Sequence, residues 1–468
     1  MGSANEQSSS GWTWSTTLVV LLISYPFLQS LYYLYLHPLS RIPGSPLWSS
    51  SRLPFLVSVA RGNLTRDLAA MHKRYGPILR IAPDEVTFTH PDAWNDIMVP
   101  QPGRAPFLKH PIWWKPLPGT PPSLISSIDP EQHAHFRRCF APAFTSRALR
   151  SQEPVLQEYV DLLMRRLRDQ IYDGDAKPGE ERKEAAAAEV DIWRWYNFFT
   201  FDAFSHLALG ESFNCLDRGA YHGWIVLIFD YAKALAALVA VRFFPIPGTD
   251  AFLSRLLPPS IVRAQQAHFQ LIVDRVRRRL DRGGDPARPD VMSFLHIEGE
   301  GHDDEAEDIA PSADDDGYGR DKKEKLTLDV VNASFSELVL AGSESTGLVL
   351  TGAVNYLIHN PDKLAVVVDE VRARFASYQD ITFDALRDAA YLNAVLSEAL
   401  RLCPTLQWIS PRQVPKGGAT VCGRWLPGGV SVLYFSPRAL RLLHPLPRPR
   451  TGHNPNPSNP RFVAQSSS

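Results

Sequence analysis

The sequence predicts a mainly α-helical fold with a small β region, on three observations. Most of the chain repeats its apolar residues at helical spacing; only Arg74–Met98, RYGPILRIAPDEVTFTHPDAWNDIM, alternates as strands do. One stretch, residues 326–360, LTLDVVNASFSELVLAGSESTGLVLTGAVNYLIHN, is apolar on nearly every face. At 1.5 Å per residue its ~32 helical residues give a rod of roughly 48 Å, enough to cross a large domain. A helix apolar all round is a buried one.

Length and charge narrow the class. The chain has 468 residues, with 49 basic against 50 acidic side chains, so nothing in its charge points to a nucleic-acid partner. Its four cysteines, Cys139, Cys215, Cys403 and Cys422, are scattered without a C-x-x-C pair. That spacing suggests neither a disulfide framework nor a thiolate zinc site, and fits a reducing compartment.

Taken in order, residues 1–16 are expected to form an N-terminal lumenal tail, and residues 17–36, TLVVLLISYPFLQSLYYLYL, carry no charge. Twenty such residues suffice for a transmembrane helix, and Arg41, Arg52 and Arg61 on the following flank place the body of the protein on the cytosolic side. Residues 37–50 hold Pro38, Pro43 and Pro46 and are expected to form a stiff, extended hinge. The strand-like stretch follows, as a hairpin and then a helix opened by Pro91-Asp92.

Further helices are expected at 132–150, 153–172, 190–210, 221–240, 259–282, 362–378 and 390–402, and solvated loops at 173–189 and 298–325. In the first of these helices His133 and Arg137 stand four apart on one face, able to hold an anion together or simply to be solvated. In 390–402 Glu398 and Arg401 share a face as an ion pair. Thr327 caps the long helix and Asn360-Pro361 stops it.

At the centre of the long helix stand Gly342, Ser343, Glu344, Ser345 and Thr346, residue types that propensity and packing alone do not favour there. A glycine admits a close neighbour, the lone carboxylate of that turn is titratable, and hydroxyls bond back to the helix or pass protons to a ligand. A kinked core helix with a satisfied Glu344 explains the same residues.

Order and spacing separate these readings. A charge-free span with a Pro-rich hinge, HAHFR (His133–Arg137), AGSEST (Ala341–Thr346), SEALR (Ser397–Arg401), SPR (Ser410–Arg412) and LPGG (Leu426–Gly429) follow one another. The set resembles the cytochrome P-450 haem-thiolate monooxygenases, most of all the fungal microsomal type, over roughly residues 12–433. The resemblance implies a cytochrome P-450-like fold and a b-type haem as cofactor. It also implies electrons from an NADPH-cytochrome P-450 reductase, an apolar small-molecule substrate, secondary-metabolite biosynthesis, and the endoplasmic reticulum membrane with its lipid as the setting.

Position by position, it implies that Ala341 and Gly342 lie over the haem and that Glu344, Ser345 and Thr346 form the proton-delivery group. Ser345 stands where the family usually has threonine. His133, Arg137 and Arg412 match contacts to the haem propionates, for which a guanidinium suits. Glu398 and Arg401 match the family's structural ion pair. From Tyr434 the match ends: the P-E-R segment and the loop bearing the axial cysteine are not found, so no metal ligand is assigned. Residues 51–433 thus read as a partial domain, incomplete at the C-terminus, and 434–468 as a Pro-rich, disordered tail of the kind an altered reading frame or retained intron produces. The alternative is a catalytically inactive relative without haem, a non-enzymatic membrane protein.

Overall fold

The computed structural model describes residues 16–17, 19–20, 24–116, 120–171, 189–223, 225, 242–243, 259–298, 325–406 and 411–436. These fall into two compact units: residues up to Trp113 with 242–243 and 406–436, and residues 114–225 with 259–405. The fold is mainly helical with small sheets, as the sequence predicts. Among the described residues no helix is long and apolar enough to cross a membrane. Of the charge-free span, residues 24–31 are helical and Tyr32–Leu36 continue as a π-helical turn.

The first unit is built on a five-stranded sheet in the order β1-β2-β7-β4-β3. Strands β1 (Ile78–Ala82) and β2 (Glu85–Phe88) make the predicted antiparallel hairpin, with a bulge between Arg80 and Ala82. Strand β7 (Ser431–Tyr434) lies parallel to β2, with Val86 opposite Val432. Strand β4 (Arg412–Gln413) pairs antiparallel with both β7 and β3 (Leu108–Lys109). Because side chains alternate across a strand, one face sends Val86, Phe88 and Val432 into a cluster with Leu39 and Ile42. The other sends Leu79, Ile81 and Leu433 against Phe55 of α1 (Leu53–Ala60) and Leu68 of α2 (Leu64–Tyr75).

Strand β7 carries native packing past Leu433. Phe435 is fully buried, its N–H donates to Phe88 O at 2.8 Å, and its ring stacks on His72. Strands β5 (Ala419–Val421) and β6 (Arg424–Leu426) form a separate hairpin closed by Cys422 and Gly423, both at positive φ (48° and 73°), as a two-residue type I′ turn requires. Asp96, in α3 (Asp92–Met98), accepts the Cys422 N–H at 2.8 Å and holds that turn.

The hinge differs from its prediction as an extended connector. Leu39 and Ile42 are buried, and Arg80 binds the segment from two sides. Its guanidinium donates to Tyr33 O (2.7 Å), to Pro83 O (2.6 Å) and to His37 Nδ1 (3.3 Å), while its backbone N–H donates to Pro43 O (2.8 Å). A Cβ on Gly44 would lie 2.5 Å from Arg80 O, so only glycine lets the chain pass this closely. The prolines stiffen a strap that buried contacts dock.

The second unit packs helices round one core. α4 (Pro130–Phe140) starts at Asp129, whose side chain accepts the Glu131 N–H. The single helix predicted over 132–150 is broken: Pro142 cannot donate, so the chain passes through a 3-10 turn at Ala141–Phe144 before resuming at Ser146–Ser151. α5 (Glu153–Ile171), α6 (Ile192–Leu209), α7 (Pro259–Arg282), α8 (Leu328–Ile358), α9 (Pro361–Arg374) and α10 (Ala390–Leu402) follow within a few residues of their predicted bounds. The helix predicted over 221–240 and the two charged loops lie mostly outside the described residues. The ends of the second loop meet: Ile297 and Leu326 form a parallel bridge.

α8 is the predicted long helix, 31 residues with Thr327 accepting the Val330 N–H as its cap. It buries Asn332, Phe335, Val339, Ser343, Gly347 and Thr351 against a core that contains Phe198 and Phe201 of α6 and Ile272 and Val276 of α7. Each such apolar side chain removed from water is worth roughly 1.5–3 kcal/mol. Gly347 sits in close contact: a Cβ there would meet Asn197 Oδ1 at 3.1 Å and Thr200 Oγ1 at 3.3 Å, so those side chains would have to give by a few tenths of an ångström. α6 itself is closed by Gly210 in the left-handed region (φ 68°).

Candidate active site

The helical repeat sorts the polar residues of α8 onto two faces. Ser343, Gly347 and Thr351 turn inward, whereas Ala341, Glu344 and Thr346 are exposed and Glu337, Ser345 and Leu348 half-buried. An otherwise apolar helix thus shows a polar window at the middle of its outward face. The hydroxyls of this window are oriented by the helix: Ser345 Oγ donates to Ala341 O (2.6 Å) and Thr346 Oγ1 to Gly342 O (3.0 Å). A hydroxyl whose proton is committed to a backbone carbonyl keeps its lone pairs outward, and so acts as an acceptor toward anything lying on that face.

Glu344 differs from these hydroxyls in kind. Partial desolvation by the surrounding protein pushes its carboxyl above the ordinary carboxylate range, with no cationic partner among the described residues to offset the effect. It therefore holds its proton to higher pH than a free carboxyl does. Glu344 and the adjacent Ser345 place a titratable carboxyl and a hydroxyl acceptor at neighbouring positions of the helix, groups able to bind a proton and pass it to a ligand, while Thr346, two positions on, faces away from Glu344.

Gly342 stands beside this window, and the neighbour it admits is the ring of Phe204 in α6: an added Cβ would lie 2.1 Å from the ring edge. His133 and Arg137 sit four apart in α4, the histidine half-buried and the arginine exposed, while Phe136, Cys139 and Phe140 on the same helix turn inward. Phe140 meets Phe335 of α8, at 6.1 Å between ring centres. His133, Arg137, Ala341, Gly342, Glu344, Ser345 and Thr346 all belong to the second unit.

Arg412 belongs to the first unit, on β4. Burial pulls its guanidinium down from the ordinary value, and its Nε has no hydrogen-bond partner among the described residues. A half-buried guanidinium with that donor unused is suited to an anionic group. Glu398 and Arg401 of α10 hydrogen-bond each other through both guanidinium nitrogens facing the carboxylate, with the glutamate side chain 50% exposed.

Two residues of the window escaped the sequence reading. Glu337 is a second carboxylate on the outward face, one helical turn before Ala341, and it accepts the Ser123 hydroxyl. Phe204 was hidden because only the packing of α6 on α8 brings it to Gly342. The spacing 337, 341, 344, 345 and 348 was the signal for Glu337; no local signal existed for Phe204.

Comparison with known proteins gives the family. The profile of the Cytochrome P450 family matches residues 43–441. The chain belongs to the cytochrome P450 family. It is 37% identical over 411 residues to cytochrome P450 monooxygenase astJ of Aspergillus oryzae, covering 88% of this chain and 74% of that one. It is 35% identical over 416 residues to cytochrome P450 monooxygenase lcsI of Purpureocillium lilacinum (88% and 73%). It is 33% identical over 401 residues to averantin hydroxylase of Dothistroma septosporum (86% and 68%).

Membership in the cytochrome P450 family implies a haem, and the residues present meet that group unevenly. Within the second unit, the exposed side of α8 suits a flat apolar group and the His133–Arg137 pair suits a carboxylate; within the first unit, the guanidinium of Arg412 by itself suits a carboxylate as well. The thiols do not suit its iron, which in haem-thiolate enzymes takes a deprotonated cysteine. Cys215 is buried and pushed up to about 12 by burial and by Asp202 beside it. Cys422 is pushed up to about 11 by burial and by Asp96 and Asp92, and Cys403, packed against Gly352, is raised by burial. Cys139 is buried among the aromatic residues of the second unit's core. Burial favours the thiol form of Cys215, Cys403 and Cys422, and Cys139 is enclosed in the core, so these side chains as placed do not fit a thiolate-ligated iron.

Proposed function

We propose that the chain is a membrane-anchored monooxygenase of the cytochrome P450 family, oxidising an apolar small molecule in secondary metabolism with O2 and electrons from an NADPH-dependent reductase. The observation that carries this reading is the polar window on α8, where Glu344, its carboxyl raised by desolvation, is followed by the backbone-oriented hydroxyls of Ser345 and Thr346. The fungal relatives, whose names include monooxygenases and a hydroxylase, support the same chemistry. The charge-free stretch 17–36 with its basic flank supports an anchor in the endoplasmic reticulum membrane and a body facing the cytosol. An anchor beside the site favours substrates that partition into lipid.

A second reading, a non-enzymatic membrane protein without haem, is favoured by the raised thiols. A carbon-monoxide difference spectrum of the reduced full chain, expressed with haem precursor, separates them. A thiolate-type band upholds the monooxygenase and removes the second reading. Absence of haem uptake removes the monooxygenase reading for this chain.

A further inference from the structure

We propose that Ser377 is a phosphorylation site for an arginine-directed protein kinase, and that its phosphate opens the turn that fastens the loop after α9 to α5.

The stretch around it reads RARFASY, from Arg372 to Tyr378. Arg372 and Arg374 stand five and three residues before the serine, a pattern that a kinase with an acidic substrate groove reads by charge. In the 468 residues no other serine or threonine has arginine at both spacings. A helix end favours basic residues and a turn favours a serine cap, but neither requires the two at these distances from each other.

The fold leaves this pattern open. From Arg372 to Asp380 every residue is exposed except the half-buried Phe375. The two arginines lie in the last turn of α9, and Ser377 follows in the connection to a 3-10 turn, Tyr378–Asp380. A kinase reads its substrate extended, so the last turn of α9 must unwind and Arg374 must release Asp388 O, to which its Nη2 donates at 2.6 Å. Val371 is the one residue of that turn that is even half-buried, and a helix end with so little buried opens at low cost.

The consequence follows from how the turn is held. Ser377 and Asp380 cap each other: Ser377 Oγ accepts the Asp380 N–H, and Asp380 Oδ2 accepts the Ser377 N–H at 2.8 Å. The kinase transfers the γ-phosphoryl group of ATP to Ser377 Oγ: an ester P–O bond forms as the bond to departing ADP breaks, and the hydroxyl proton passes to the kinase's base. Ser377 then carries roughly 1.5–2 negative charges beside the Asp380 carboxylate, and the two repel. The reciprocal cap opens. With it loosens the loop that α5 grips, where Gln157 Nε2 donates to Ile381 O at 2.9 Å and Glu153 accepts the Phe383 N–H at 2.6 Å. A body facing the cytosol, the orientation proposed above, has ATP at hand.

The test treats the full chain in detergent, and in parallel a peptide of residues 370–382, with protein kinase B and Mg-ATP, and maps the phosphate by mass spectrometry. The expected result is phosphate on Ser377 of the chain, none there in Ser377→Ala, and retention in Ser377→Thr. The initial rate should fall about tenfold in Arg372→Ala, the loss of one charge-assisted contact. Amide exchange at Ser377 and Asp380 should be severalfold faster in the phosphorylated chain. Phosphate on the peptide but not on Ser377 of the chain overturns the site, because the fold then hides the motif. Phosphate on neither, or an undiminished rate in Arg372→Ala, overturns recognition through the arginines. Phosphorylation of Ser377 with unchanged exchange overturns the opening of the turn.

Discussion

The ring of Phe204 rests on the α-carbon of Gly342, so close that a methyl group there would sit 2.1–2.5 Å from three ring carbons. The glycine of the central turn is therefore needed for helix packing, whatever else lies near it. Gly342→Ala gains ~1 kcal/mol of helix propensity. Forcing the ring aside costs ~1–3 kcal/mol of overpacking, so the substitution is expected to destabilise. In urea unfolding the loss should largely vanish when Phe204→Ala is already present, a non-additivity that an independent glycine effect would not produce.

A second prediction concerns the strap. Arg80 lacks a carboxylate partner in its hydrogen bonds and instead donates to two carbonyls and a histidine nitrogen; burial draws its guanidinium down to about 10. It remains charged at neutral pH, and hydrogen bonds from a charged donor are worth ~1.5–3 kcal/mol each. Arg80→Lys has one nitrogen where three reach out, so it cannot serve Tyr33 O and Pro83 O together. Trypsin cleavage after the exposed Arg41 is expected to speed up severalfold in Arg80→Lys and further in Arg80→Ala. An unchanged rate would show that Leu39 and Ile42 dock the segment without it.

The contrast between these two cases shows what a sequence exposes. The 31-residue α8, its Thr327 cap, the β1–β2 hairpin and α10 were legible because each is signalled within its own residues, by apolar period, by cap or by proline. The polar window was legible for the same reason: Gly342 to Thr346 break the local rule for a helix interior. The break of the 132–150 helix at Pro142 was in plain view and passed over. Phe204 against Gly342, Arg80 across to Tyr33 and Ser123 on Glu337 join residues far apart in the chain, and no period or spacing announces them.

Glu344 gives the third prediction. Its folded-state pKa is raised, so the folded protein binds the proton more tightly than the unfolded chain does. Stability from this group is then greatest at and below the unfolded value of ~4.3 and is lost as pH rises through the folded value, above which the charged form opposes folding. Glu344→Gln removes that opposition. Its melting temperature should exceed that of the unaltered chain at pH 7 and match it near pH 4, while any proton-dependent activity falls. A variant less stable than the original at pH 7 would mean that the carboxylate has a cationic partner.

The last prediction concerns Glu398 and Arg401, which meet in a two-pronged ion pair with the glutamate side chain 50% and the arginine 26% exposed. Such geometry is as good as a surface pair achieves, yet water competes for both groups and holding two long side chains together costs entropy. The hydrogen bond to Glu398 raises the guanidinium pKa, but at a solvated site this carries little stability. Arg401→Ala and Glu398→Ala are therefore expected to leave the melting temperature of this chain within error, and to lose even that small effect in 1 M salt, where screening falls to ~3 Å. A loss of several degrees in either variant, persisting in high salt, would show instead that the pair is shielded from water in solution by protein packed over α10.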